Sequence, residues 1–413
     1  MRFVADFHLH SKYSRATSKD MNLENMALFA EKKGILVLGT ADFTHPLWFK
    51  EIKEKLEPVG EGVFSLKNKK SKTLFVLTTE ISCIYSKKGR VRKIHLLVFA
   101  PSLPFVEKFN ARLSWVGNLK ADGRPILGLD AKELLKLVLS LSPDAFVVPA
   151  HAWTPWFSLF GSRSGFDSIE ECFEELSSEI FALESGLSSD PPMNWRLSAL
   201  DRIAIISNSD SHSLLKMGRE ANVFDLEKID FFEIKKAIKE KDNKRFLFTI
   251  EFFPEEGKYH FDGHRFCHQR FSPSETKKYQ GICPVCKKLL TVGVLHRVEE
   301  LADRPEGFVP PGAIPFRSLL PLSEIIAQAF GLLENSKKVK EEYEKLIKEF
   351  ENELNLLLFL PLEEIKGKID PRIFQGIQKV REGKVEKEPG YDGLYGKIKI
   401  VFNQEKSAQK SLF

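Results

Sequence analysis

The chain has 413 residues, 43% of them hydrophobic and 29% charged, and a formal net charge of +5. That length exceeds one ordinary compact core, so two or three domains are expected, and the composition excludes a disordered or fibrous chain. No apolar run reaches the length of a membrane span, no secretory signal is visible at the start, and mild basicity permits a nucleic-acid partner without requiring one. A cytoplasmic monomer is expected. The Lys- and Glu-rich surface is of the kind found in heat-loving hosts.

Over the first ~250 residues, β-rich runs alternate with amphipathic stretches. The runs fall at 3–7, 35–40, 74–79, 94–99, 145–150, 180–183 and 203–207. Between them lie helical patterns such as NLENMALFAEKKG, which Asn22 can cap at its start and Gly34 at its end, and another beginning at Asp130. Such alternation predicts a parallel sheet or barrel over 1–252, because parallel strands need crossovers.

Metal-binding side chains cluster at the ends of these strands. His8 and His10 follow the first, Asp42 and His45 the second, Glu80 the third, His151 the fifth, and Asp210 with His212 the last; His95 opens the fourth. In a parallel barrel the strand C-terminal ends share one rim, so residues distant in sequence converge there. Imidazole and carboxylate groups suit Zn²⁺, Mn²⁺ or Fe²⁺. One HxH pair or one strand-end Asp is more often a cap or a solvated residue; repetition at almost every strand carries the argument. The set predicts two or three divalent ions (Zn, Mg or Mn) and hydrolysis of a phosphate ester. Glu80 would bridge two ions, an activated water would attack, and the ions would neutralise charge on phosphorus. Glu80, Asp210 and His212 are the candidate catalytic residues. Cys83 and Cys172 stand alone and read as buried thiols.

DFHLHSKYS, TADFTH, Glu80, His95, PAHAW and SNSDSH resemble the successive motifs of the PHP (polymerase and histidinol phosphatase) superfamily. The resemblance implies a distorted (β/α)7 PHP-type barrel with a two- or three-metal site. One departure concerns the second motif, where the family's Thr-Asp-His is replaced by Thr40-Ala41-Asp42. Either Asp42 takes the place of the His ligand or His45 supplies it.

From 253 to 306 the chain is rich in His, Cys, Pro, Gly and charge, and ~50 residues bury too little apolar surface to be comfortably stable alone. His264-x2-Cys267-x15-Cys283-x2-Cys286 has the spacing of two zinc knuckles with His in place of the first Cys, a closed structural Zn²⁺ site. His260 and His268 compete for the His position. From 307 to 403 a helical C-terminal region is predicted, with PLSEIIAQAFG and SKKVKEEYEKLIKEFENEL as its clearest pieces and Asp370-Pro371 starting another helix.

YHFDGHRFC, CPVC and LTVGVLHRVEELADRP, taken with the PHP motifs, resemble the endonuclease Q family of archaeal and bacterial DNA repair enzymes over nearly the whole chain. That resemblance implies DNA cleavage 5′ to a deaminated base (uracil, hypoxanthine, xanthine) or an abasic site. Trp153, Trp156 and Phe157, in the loop after His151, are candidates to wall an extruded base, with ordinary core packing as the equal alternative. Arg163 could meet a phosphate. Arg265, Arg270, Lys277, Lys278, Lys287 and Lys288 are candidates to track the backbone, although acids nearly balance bases there. In the tail at 404–413, Gln409, Leu412 and Phe413 resemble the start of a motif that binds a sliding clamp (PCNA). The rival readings are a PHP-type phosphatase acting on a small phosphomonoester and a non-catalytic DNA- or clamp-binding scaffold.

Overall fold

In the computed structural model, which describes residues 1–68 and 70–402, the apolar run FVAD forms strand β1 (Arg2–Asp6). It pairs in parallel with β2 (Val37–Gly39), which pairs in parallel with the start of β3 (Leu74–Lys87). Helix Leu23–Lys33 makes the first crossover. Its cap is the one expected: the Asn22 side chain accepts from Asn25 N, and Gly34 ends the helix at φ 87°. Asp130 likewise caps helix Ala131–Leu141.

The all-parallel expectation fails at the third strand. β3 runs on to Lys87 and folds back as a long antiparallel hairpin with β4 (Arg90–Ala100), and β5 (Phe146–Pro149) is antiparallel to β4. The turn contains only Lys88 and Gly89, both at positive φ, and two residues leave no room for a crossover helix. β6 (Ala182–Glu184) and β7 (Ala204–Ile206) form a separate parallel pair. β8 (Ala221–Asp225) is antiparallel to β1, and β9 (Phe246–Glu251) to β8; neither was among the predicted strands. The architecture is therefore mixed α/β. After β7 the chain returns to the end of β1, where His10 N donates to Ser211 O at 2.9 Å. That contact joins the segment after β1 to the segment after β7.

Phe7, Phe99, Phe146, Phe224 and Phe246 are buried and in ring contact on one side of these strands. A larger apolar cluster extends without a break from Met26 and Trp48 to Ile325, Leu346 and Ile373 of the C-terminal helices. β10 (Phe316–Ser318) also joins β9 in parallel, so the change of pattern at 307 is not a break in packing. The helical region holds Leu322–Phe330, ended by Gly331 in the left-handed region, then Lys337–Phe350, then Pro371–Arg381 capped by Asp370. Around the Cys/His segment the core is small, consisting of Phe271, Cys283 and Leu290. Cys83 and Cys172 are buried, and burial pushes both thiols up. Among the described residues no helix is long and apolar enough to cross a membrane. Gln409, Leu412 and Phe413 lie outside the described residues.

A buried ion pair fastens the C-terminal helices to the first crossover. Lys33 Nζ lies 2.7 Å from Glu353 Oε2, both side chains being 5% exposed. Glu353 also accepts from Tyr343 Oη at 2.8 Å and Leu322 N at 3.1 Å. Removing one partner leaves the other charge stranded, so Glu353→Ala should cost about 3 kcal/mol in urea unfolding. Glu344→Ala, which breaks the exposed pair with Lys32, should cost less than about 1 kcal/mol. Equal losses in the two variants would contradict this assignment.

Candidate metal centre

His8 and His10 sit two residues apart on the extended segment that continues β1, so both imidazoles project from one face. Phe7 N donates to Asn208 Oδ1 at 2.9 Å and holds the segment in place. Glu80 is not at a strand end: it lies inside β3, opposite Leu97 of β4, and His95 lies opposite Ser82. The hairpin therefore supplies two of the groups from adjacent strands.

His10 Nε2 stands 3.2 Å from Glu80 Oε2 and 3.0 Å from Asp210 Oδ1; His8 Nε2 stands 3.5 and 3.7 Å from the same two oxygens. On its other side, Glu80 Oε1 is 2.7 Å from His95 Nδ1 and 3.1 Å from His151 Nε2. His8, His10, Glu80 and Asp210 form one group whose ligand atoms lie within 4.8 Å of one another, and Glu80, His95 and His151 form a second. Glu80 thus turns one oxygen to each. Among the described residues, Nε2 of His8, Nε2 of His10 and Oδ1 of Asp210 are buried and, despite these close approaches, make no well-directed hydrogen bond. Buried polar atoms left unpaired are costly, and a divalent cation would satisfy all three, so the donor set fits a metal.

The outward-facing nitrogens are held by other groups. His8 Nδ1 lies 3.0 Å from both oxygens of Glu184, which also accepts from His151 N and Asn208 Nδ2. His10 Nδ1 faces Ser14 Oγ at 3.1 Å and Asp42 Oδ1 at 3.3 Å, and His95 Nε2 faces Ser82 Oγ at 3.1 Å. Such contacts select the tautomer whose inner nitrogen is free for a cation. Burial alone would lower the His8 and His10 imidazoles, yet the carboxylates around them outweigh it and hold both well above the ordinary value. For Glu80, burial works upward, and His95, Arg124 and His8 overcome it to hold the carboxyl well below its ordinary range. Burial takes His95 down to about 4.

Asp42, His151 and Asp210 adopt positive φ (39°, 30° and 46°), backbone strain of the kind that accumulates at functional sites. Gly186 passes close behind His151: a methyl group on it would lie 2.5 Å from His151 Cβ.

Neither Asp42 nor His45 belongs to the two ligand groups. Asp42 is occupied by Ser11 N, Ser11 Oγ and Ser14 Oγ at 2.6–2.8 Å and backs up His10; the His45 ring stacks on Tyr13 at 4.4 Å. His212 lies at the rim, its ring 4.3 Å from that of His10 and its Nδ1 3.0 Å from Asp210 O. Sequence reasoning missed Glu184 and Arg124. Glu184 directly follows the predicted strand 180–183, as several of the candidate ligands follow theirs, so the signal was present. Arg124, whose Nη1 donates to Glu80 Oε2 at 3.1 Å, comes from an irregular loop with no sequence signal.

His264, Cys267, Cys283 and Cys286 form a third group within 4.8 Å, with Cys286 Sγ 3.4 Å from His264 Nδ1. Among the three candidates, His264 is the histidine brought to the cysteines; His260 is buried elsewhere, and burial takes it down to about 4. Of the candidates to wall an extruded base, Trp153 takes the core position that was its alternative. Trp153 is fully buried against Phe160 and donates to Asn194 Oδ1 at 2.7 Å. Trp156, Arg163, Arg265 and Arg270 are exposed, and the Phe157 ring lies 4.8 Å from that of His95.

The same fold occurs in the lesion-specific endonuclease PfuEndoQ of Pyrococcus furiosus. The TM-score is 0.86 and the identity 33%, over 97% of this chain and 96% of that one. The chain belongs to the endonuclease Q family. A structure of endonuclease Q with a 27-mer duplex carrying an abasic lesion at the active site matches with a TM-score of 0.85 and 33% identity, over 97% of each chain. Uncharacterized protein YqxK of Bacillus subtilis is 30% identical over 96% of this chain and 99% of its own length. Uncharacterized protein MJ0043 of Methanocaldococcus jannaschii is 36% identical over 60% of this chain, which spans only 31% of that relative. Residues 321–384 match the MJ0043 C-terminal domain family.

The two kinds of metal group should separate on mutation. In metal analysis of purified protein, Glu80→Ala should lose the ions of both groups that share it and keep the ion of the Cys/His group. Cys283→Ser should do the reverse and lower the melting temperature. Retention of a full metal complement by either variant would contradict the grouping.

Proposed function

We propose that this endonuclease Q family member is a metal-dependent DNA repair endonuclease. It hydrolyses the phosphodiester bond 5′ to a deaminated base (uracil, hypoxanthine, xanthine) or an abasic site. The reading is supported chiefly by two ligand groups that share Glu80, in a chain alike over nearly its full length to a lesion-specific endonuclease. In this reading the mixed sheet is the family's distorted (β/α)7 barrel. It holds two or three ions of Zn, Mg or Mn through His8, His10, Glu80, His95, His151 and Asp210. His264, Cys267, Cys283 and Cys286 hold a structural Zn²⁺.

Divalent ions, when bound, supply Lewis acidity and a water of lowered pKa. The chain's own groups do the rest. Glu184, Asp42 and Ser82 fix the tautomers of His8, His10 and His95, so that their inner nitrogens face the ions. Arg124, held on Glu80, brings a fixed guanidinium charge for a non-bridging phosphate oxygen. His212 donates to Asp210 O through Nδ1, and burial favours its neutral form, so Nε2 keeps a lone pair to accept a proton from the attacking water. Trp156, Phe157, Arg163, Arg265 and Arg270 contact the DNA. The enzyme works in the cytoplasm as a monomer, and Gln409, Leu412 and Phe413 dock on the sliding clamp.

The test is a labelled duplex carrying one uracil, hypoxanthine or abasic site, incubated with Mg²⁺ or Mn²⁺. A nick immediately 5′ to the lesion is expected, absent from undamaged duplex and after chelation. Turnover of a small phosphomonoester with no nick would support the phosphatase reading instead. Asp210→Ala should nearly abolish nicking while leaving DNA binding in place. Glu184→Gln should lower nicking by about 10- to 100-fold through His8; wild-type rates in Glu184→Gln would exclude that role.

A further inference from the structure

From the metal centre outward, a series of aromatic rings, two of them with a cation over the face, runs to the Cys/His module. Next to His95 is Phe157, with Lys93 Nζ 5.3 Å above its ring. The adjacent residue, Trp156, is 38% exposed and meets Tyr259 edge-on at 5.6 Å. Tyr259 and Arg265 flank Gly393: a methyl group there would lie 3.6 Å from Tyr259 Oη and 3.3 Å from Arg265 Nη1. Arg265 in turn lies 4.8 Å over the ring of Phe266, which is 77% exposed.

Core packing does not account for Phe266, because an exposed ring gains little from burial. Its position is nonetheless tightly determined. His264 and Cys267 of the metal group flank Arg265 and Phe266 in sequence, and Arg265 N donates to Asp392 Oδ2 at 2.7 Å. A second exposed ring, Tyr395, carries Lys258 Nζ at 4.6 Å nearby in sequence to Tyr259. An apolar protein partner would have no use for the cations set over Phe157, Phe266 and Tyr395. A duplex hides its base faces in the stack. An unpaired strand matches both features, since it offers flat π faces for the rings and phosphates for the cations.

We propose that the strip from Phe157 through Trp156, Tyr259 and Arg265 to Phe266 is a track for unpaired DNA. Nucleotides flanking the cleaved bond stack on it in succession. The inference rests on the nuclease reading and adds to it that the strand is held open beyond the damaged nucleotide itself.

Full-length protein carrying Asp210→Ala would be titrated by fluorescence anisotropy with an undamaged single-stranded oligonucleotide and with the duplex of the same sequence. Tighter binding of the single strand is expected. Phe266→Ala and Trp156→Ala should each weaken it about tenfold, and Phe266→Trp should restore it. If Phe266→Ala loses its Cys/His metal, Phe266→Leu, which keeps apolar bulk without a ring, should show the same loss of affinity. Unchanged single-strand affinity in the ring-lacking variants, or equal affinity for the duplex, overturns the track. Nicking of damaged duplex by the unsubstituted enzyme is read in parallel. Nicking with unchanged affinities sinks the track alone, whereas the expected affinities without nicking sink the nuclease reading and leave a single-strand-binding track standing.

Discussion

Glu80 turns one carboxylate oxygen to His8 and His10 and the other to His95 and His151, with no exposed side-chain surface. A carboxylate so placed is stable only among positive charge, because removing it from water costs several kcal/mol unless it is paired. Much of the fold can be read as meeting that requirement. The long β3–β4 hairpin carries Glu80 and His95 on neighbouring strands, and the loop before residue 125 returns Arg124 to the same oxygen that faces His10. The segment after β1 and the segment after β7 meet through Ser211, which brings Asp210 opposite the two N-terminal histidines.

Around these groups lies an outer layer that is as buried as the centre itself. Glu184 ties His8 to the backbone of His151 and to Asn208, and Asn208 in turn anchors Phe7. Asp42, with Ser11 and Ser14, does the equivalent for His10. These hydrogen bonds engage His151 N and the Asp42 carboxylate, at two of the three centre residues with left-handed backbone. The aromatic layer beneath, from Phe7 to Phe246, gives the outer groups a rigid base.

The rest of the chain is held by two different means. The C-terminal helices share the main apolar cluster and are pinned by Lys33 and Glu353, so hydrophobic burial dominates there. The Cys/His segment has a small cluster of three buried core residues of its own, beside four groups that could hold a metal ion; a metal is one of the ways so small a core is stabilised. Its surface can therefore expose aromatic residues such as Phe266 without losing its shape.

By itself the sequence determined the residue types of the metal groups, the Cys/His spacing and the helix boundaries at Asn22, Gly34, Asp130 and Asp370. Each depends on chemistry or local geometry within a few residues: a cap reaches its own first turn, and CxxC closes on one ion. Tertiary structure alone decided the placements. It set Asp42 behind His10, His45 against Tyr13 and His264 beside the cysteines, buried Trp153 and brought in Arg124. It also replaced an expected crossover with the hairpin that carries Glu80. Those outcomes turn on approaches of about 3 Å between residues far apart in the chain, which long-range strand pairing and burial set and local patterns do not encode.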